Sequence, residues 1–236
     1  GEKYWGGYSQ FQRAKSQWLV PLPEGMDGKT AMAIGTAGLT AMLCVMAIEE
    51  SGLQPEDGKV VVSGAAGGVG SVAIALLHKL GYEVTAISGR EELSDYLRGL
   101  GASDIVSREE MAKPCRPLEA QRWAGAVDTV GDAILARILA ETNYNGTVAA
   151  CGLAMGIKLP TTVMPFILRN VRLQGVDSVE CPYERRNLAW QRLAGLLSAD
   201  DLGELSQTIS LEEVVGVTES MMKGQVKGRV VVDLNV

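Results

Sequence analysis

The chain has 236 residues, 47% of them hydrophobic, and a formal net charge of −6 from 22 basic and 28 acidic side chains. That length and apolar share suffice for one large buried domain, or one domain with part of another. The acidic balance excludes a general affinity for nucleic acid, which needs clustered Lys and Arg. No apolar run approaches the roughly 20 residues of a membrane helix, no basic segment leads into a hydrophobic stretch within residues 1–10, and the expected location is the cytoplasm.

Cysteine usage points the same way. Cys44, Cys115, Cys151 and Cys181 are far apart, form no CxxC pair, and read as reduced thiols. Catalytic zinc takes three Cys, His or carboxylate ligands and structural zinc four, whereas the single histidine, His78, falls late in a predicted helix, where capping or solvation is its ordinary role. No metal is expected.

Residues 30–51, rich in Ala, Met and Leu, predict a buried helix broken near residues 35–38. From residue 59 the pattern alternates. Residues 59–63 read as a β-branched strand and 69–80 as a helix stopped by Gly81; 83–88 follow as strand, 91–100 as helix and 104–106 as strand. Then come strand 125–130, helix 132–141, strand 147–151 and strand 171–176. This alternation predicts parallel βαβ units, hence an α/β fold with a doubly wound parallel sheet covered by helices on both faces. Residues 182–197 predict an amphipathic helix and 229–234 a closing strand. Residues 1–27 and 179–236 lack the βα rhythm and are assigned to another lobe.

The chemistry is concentrated in Val60-Val61-Val62-Ser63-Gly64-Ala65-Ala66-Gly67-Gly68-Val69-Gly70, a hydrophobic strand entering a glycine-rich turn and a helix. A dinucleotide diphosphate requires this order. Backbone without side chains at Gly67 and Gly68 approaches the phosphates, Gly70 lets the helix pack on the strand, and the helix N-terminus offers free N–H donors and partial positive charge. Ala65 stands where the usual first glycine would be, which weakens the bare pattern; the strand-turn-helix setting restores it. NAD-preferring folds end the next strand in Asp or Glu, about 20 residues on. Here Ser88 stands eighteen residues past Gly70, followed by Gly89 and Arg90. A hydroxyl, an open backbone N–H and a guanidinium suit a ribose 2′-phosphate, so NADPH is the expected cofactor, a solvated arginine being the competing reading.

Later strands add contacts where they end over the crevice. Arg108 lies past the third strand. Thr129, Val130 and Gly131 end the fourth, Cys151, Gly152 and Leu153 end the fifth, and Ile167 and Ser178 flank the sixth. Thr40 and Asn145 are polar candidates near the crevice, with capping or core hydrogen bonding as their competing role. Arg185 and Arg186 are candidates for ligand phosphates, against a solvated helix face.

Several segments together carry a family likeness: Trp5-Gly6-Gly7-Tyr8-Ser9, Gly35-Thr36-Ala37-Gly38-Leu39-Thr40-Ala41, the 66–70 turn, Ser88-Gly89-Arg90, and the run from Pro160 to Asn170. The chain resembles the acrylyl-CoA reductase (NADPH) branch of the quinone-oxidoreductase-like medium-chain dehydrogenases/reductases, and the likeness spans nearly its whole length. The resemblance implies zinc-independent reduction of the carbon–carbon double bond of a short 2-enoyl-CoA, acrylyl-CoA to propanoyl-CoA. It implies NADP contacts at Ala66, Gly67, Gly68, Val69, Ser88, Gly89, Arg90, Arg108, Leu153, Ile167 and Ser178. It also implies a homodimer through the 171–176 edge strand. Family members begin with a GroES-like lobe, and this chain starts near that lobe's last strands. The expected division is therefore 1–27 as a remnant of that catalytic lobe, 28–178 as the NADP-binding Rossmann domain and 179–236 returning to the lobe.

Conjugate reduction delivers hydride to the β-carbon while the thioester oxygen gains charge, so positioning and donors near that oxygen carry catalysis. No Ser/His/Asp set or carboxylate pair is apparent, consistent with chemistry carried by the cofactor. Two rivals stay open: an NADPH:quinone oxidoreductase, and an inactive cofactor-binding fragment.

Overall fold

The structure is a computed structural model that describes residues 4–235. Its centre is a parallel sheet of β1 (Val60–Val62), β2 (Val84–Ser88), β3 (Ala102–Ser107), β4 (Trp123–Asp128), β5 (Thr142–Ala150) and β6 (Arg172–Gly175), in the order β3-β2-β1-β4-β5-β6. This is the order of a dinucleotide-binding fold, whose strand order reverses between β1 and β4 and opens a crevice at the carboxyl ends. The Val60-Val61-Val62 run has no polar alternation because both faces of the sheet are covered. Val60 and Val62 belong to one core cluster and Val61 to the other, and all three are fully buried.

The first core is built by α1 (Gly28–Glu50), α2 (Gly68–Lys79) and α7 (Tyr183–Leu196), which supply Met42, Ile48, Ile74, Leu77 and Leu193. On the opposite face, α5 (Asp132–Glu141) and the short α4 (Arg108–Met111) and α6 (Met164–Arg169) bring Ile138, Leu139, Met111 and Phe166 onto Val106, Ala126 and Val148. A six-residue α3 (Ser94–Gly99) links β2 to β3. At the amino end of the sheet, buried Glu141 accepts from Trp123 Nε1 at 3.0 Å and Arg137 Nε at 2.9 Å.

α1 differs from the expected absence of a long apolar run. It is 23 residues long, its most apolar window has a mean hydropathy of 2.0, and 78% of that window is buried. Its apolar surface lies against α2, α7 and the sheet, so length and hydropathy here mark a central core helix. The predicted break is present: Gly35 has φ +51° and ψ −158°, splitting α1 into two segments.

The C-terminal segment is not without βα rhythm. After α8 (Ala199–Leu205), β7 (Ser206–Ser210), α9 (Val214–Met222) and β8 (Arg229–Asp233) form a further βαβ unit in which β7 and β8 pair in parallel as a two-stranded sheet. Sequence reading assigned no element to α9, and none of its residues is buried: Val214 and Val217 are half-buried, and Val215, Met221 and Met222 are exposed. α8 starts at a capping box formed by Ser198 and Asp201. β5 begins five residues before the predicted strand because its register shifts where Asn145 adopts φ +65°.

Candidate functional site

β1 leads through Ser63 into the glycine turn. Gly64 takes the conformation that Ala65 would have resisted, with φ +59°, and a Cβ on it would fall 2.1 Å from Thr129 Oγ1. The turn closes through Gly67 N–H donating to the Gly64 carbonyl at 2.9 Å. Gly70 is dictated by packing, since a Cβ there would lie 2.4 Å from the Gly64 oxygen and 2.8 Å from Ala65 Cα, both backbone atoms. The N-cap of α2 is Gly67, which has no side chain to satisfy the first-turn N–H groups. Those donors and the helix dipole face the crevice as an anion site.

Sequence reading missed the side chain that completes this site. Arg229, the first residue of β8, reaches back across the fold and donates from Nε to the Ala33 carbonyl at 2.9 Å. Its guanidinium lies beside both glycine-bearing helix starts: a Cβ on Gly68 would be 2.9 Å from one terminal nitrogen, and a Cβ on Gly35 2.6 Å from the other. No carboxylate of the described residues pairs with it, and burial pushes its pKa below the ordinary arginine value. A half-buried guanidinium with no anion of its own, set at the N-terminus of α2, is arranged for an anionic ligand. Its only sequence signal is a basic residue opening a strand 159 positions beyond Gly70, so nothing local betrays it.

At the end of β2, Ser88 Oγ accepts from Arg90 N–H at 3.1 Å. A Cβ on Gly89 would lie 2.7 to 2.9 Å from the Arg108 guanidinium atoms, so Arg108 from the end of β3 lies across that glycine. The structure therefore gathers Ser88, Gly89, Arg90 and Arg108 into one polar corner. Arg90 does not reach freely into solvent: its guanidinium donates to the carbonyls of Gln225 at 3.0 Å and Val226 at 3.2 Å.

The other half of the crevice is formed where β4 and β5 end. Asp128, fully buried, accepts from Ser63 Oγ at 2.6 Å and from Gly131 N–H at 2.8 Å, and Thr129 N–H donates to the same Ser63 oxygen at 2.9 Å. Burial raises its carboxyl pKa above the usual value, opposed by the bonds from Ser63 and Gly131. The exits of the two strands are pressed together at glycines: a Cβ on Gly152 would be 2.3 Å from the Thr129 carbonyl, and one on Gly131, at φ +72°, 2.6 Å from the Gly156 carbonyl. Leu153 follows Gly152 with its side chain 64% exposed. Thr40 Oγ1 donates to the Thr36 carbonyl at 2.7 Å and accepts from the hydroxyl of Ser178, past β6, at 2.9 Å.

One expectation fails on geometry. Asn145 lies at the amino end of the sheet, where Trp123 pairs with Thr142, and its Oδ1 accepts from Asn170 at 2.8 Å; it is remote from the carboxyl-end crevice. Ile167 lies on α6, which precedes β6. Its helix is anchored through Arg169 to the Ala140 carbonyl at the amino end of β5, and its own side chain is 71% exposed. Arg185 is paired with Glu50 at 2.6 Å and Arg186 donates to the Trp18 carbonyl at 3.1 Å, so both guanidinium groups have partners. His78 packs its ring where a Cβ on Gly101 would be 2.2 Å away, a structural contact.

Residues 68–195 match the zinc-binding dehydrogenase family. The whole chain is 58% identical to the probable acrylyl-CoA reductase of Escherichia coli, over 72% of that protein's length. The chain belongs to this acrylyl-CoA reductase branch of the medium-chain dehydrogenases/reductases. A putative quinone oxidoreductase of Bacillus subtilis is 45% identical, over 97% of the chain and 70% of that protein. The crystal structure of an oxidoreductase from Salmonella enterica in complex with NADP superposes with a TM-score of 0.96 at 56% identity, covering 98% of this chain and 71% of that one. Despite the zinc in the family's description, the described residues hold no group of three or more His, Cys, Asp or Glu side chains able to bind a metal ion.

Proposed function

We propose that the chain binds NADPH along the carboxyl edge of its sheet and takes part in reducing the double bond of a short 2-enoyl-CoA, acrylyl-CoA to propanoyl-CoA, with no metal. The observation that carries this reading is the pairing of two anion sites on one edge: the uncapped start of α2 beside Arg229, and the corner of Ser88, Gly89, Arg90 and Arg108 with no carboxylate ending β2. A diphosphate and a 2′-phosphate are the two anionic groups of NADPH, and the Salmonella enterica relative is described as bound to NADP.

In this reading Ala66 to Val69 and Arg229 hold the diphosphate, Ser88 to Arg90 with Arg108 hold the 2′-phosphate, and Leu153, with the Thr40–Ser178 pair, lines the nicotinamide end. Ile167 is retained as an eleventh contact only through the family resemblance. Bound NADPH supplies the hydride that reaches the β-carbon. The protein's own part is orientation: the Asp128 bonds fix the Thr129 to Gly131 exit, and the glycines at 131 and 152 let the two strand ends form one floor. We divide the chain into a lobe-associated 1–27, a cofactor domain 28–178 and a lobe-associated 179–236. A homodimer forms through β6, an edge strand with Arg172, Gln174 and Gly175 exposed. Four free cysteines suit the reducing cytoplasm.

Titration of NADPH and NADH into wild type and Arg90→Ala tests the cofactor reading: NADPH affinity falls far more than NADH affinity, and equal losses overturn the 2′-phosphate assignment. Comparing turnover of acrylyl-CoA with that of a simple quinone separates the enoyl-CoA reading from the quinone reductase reading, which the Bacillus subtilis relative supports. NADPH binding with no turnover of either substrate would favour a cofactor-binding role alone.

A further inference from the structure

Resting on the assignment of Arg90 to the 2′-phosphate, we infer that the main chain of residues 225–228 is the element that positions Arg90 and so sets the preference for NADPH over NADH. This segment, which joins α9 to β8, runs as a strap across the phosphate end of the crevice. The carbonyls of Gln225 and Val226 accept from the two terminal nitrogens of Arg90. Lys227 places its ammonium 5.0 Å over the Tyr96 ring. Gly228 N–H donates to the Ala66 carbonyl at 3.0 Å, tying the strap to the glycine turn, and Arg229 follows at the start of α2.

The geometry of the guanidinium makes the strap a positioning device. Arginine carries five N–H donors. Two are taken by the carbonyls, one from each terminal nitrogen, which leaves Nε–H and one N–H on each terminal nitrogen for a phosphate. Both acceptors are backbone oxygens, so side-chain identity at 225 and 226 is free while the path of the chain is not. That path is fixed at Gly228, which has φ +57° and whose Cβ would fall 2.2 Å from the Leu205 carbonyl and 2.8 Å from the Tyr96 hydroxyl. Ordering an otherwise free arginine forfeits about tenfold in affinity, which the strap removes by ordering it before the ligand arrives. NADH, lacking the 2′-phosphate, gains nothing from that ordering.

The test is a double-mutant cycle read as the ratio of NADH to NADPH dissociation constants. Gln225→Gly loosens the strap at an exposed position without removing packing, and Val226→Pro redirects the Gln225 carbonyl; two variants guard against one failing to fold. Each is expected to lower the ratio by about tenfold in the wild-type background and to leave it unchanged in the Arg90→Ala background, because the strap acts through Arg90. If Arg90→Ala leaves the ratio at its wild-type value, the 2′-phosphate reading itself fails. If Arg90→Ala collapses the ratio while both strap variants leave it intact, or lower it equally in the two backgrounds, the reading stands and the positioning inference is overturned.

Discussion

Arg229→Met separates a ligand-binding arginine from a structural one. Methionine keeps the apolar stem in place and removes only the guanidinium. Among the described residues the group's hydrogen-bond partner is the Ala33 carbonyl, a bond worth about 1 kcal/mol net, and its half-buried charge pairs with none of their carboxylates. Loss of the bond destabilises, while relief of the unpaired charge stabilises by a similar or larger amount. The net change in stability should therefore stay within about 1 kcal/mol, a shift in Tm of no more than roughly 4 °C for a chain of this size. Binding behaves otherwise. A charge-assisted hydrogen bond to a phosphate is worth about 1.5 to 3 kcal/mol, so the dissociation constant should rise by roughly tenfold to 150-fold. Because the diphosphate is common to both cofactors, NADPH and NADH should lose equally, the opposite of Arg90→Ala. Isothermal titration with each cofactor and a thermal melt without cofactor give both readings. A melt lowered by more than about 8 °C with cofactor affinity intact would refute the assignment and make Arg229 a structural clamp between α1 and β8.

Gly70→Ala should cost about 3 kcal/mol in urea denaturation and abolish measurable binding of both cofactors, because the new methyl meets backbone atoms that yield only by moving the turn. Asp128→Ala strands the Ser63 hydroxyl and the Gly131 N–H and should destabilise by about 3 kcal/mol on chemical denaturation. The same carboxyl gives a signed pH effect. Its folded pKa is raised, so the folded state holds a proton that the unfolded chain releases; its contribution is greatest below the unfolded value and declines as pH rises through the folded one. Denaturation midpoints of Asp128→Asn measured upward from pH 3.5 should lack that decline, and an unchanged slope would place the proton elsewhere. Gly175→Pro removes an N–H from the outer edge of β6, the side opposite the Val176 N–H that donates to the Ala150 carbonyl, and should convert the proposed dimer to a monomer in sedimentation velocity while leaving NADPH binding intact.

What the sequence discloses and what it hides divide along a physical line. The turn at 64–70, the corner at 88–90 and the exits at 129–131 and 151–153 are local: each is a strand end followed by glycine or a small polar residue, and their meeting follows from the parallel order alone. Asn145 was misplaced by the same locality, since a turn-forming residue before a strand looks alike at either end of the sheet, and only the register of β5 on β4 says which. Arg229 and the 225–228 strap were invisible for the converse reason. Their partners are Ala33, Gly68, Ala66 and Arg90, all more than 130 positions away, and the carbonyls that hold Arg90 carry no residue identity at all. Apart from Arg229, what the C-terminal βαβ unit contributes to the proposed phosphate site is thus written in backbone path and not in side-chain pattern. The one constraint it leaves in the sequence is Gly228, whose positive φ and contact with the Leu205 carbonyl no other residue satisfies without displacing the strap.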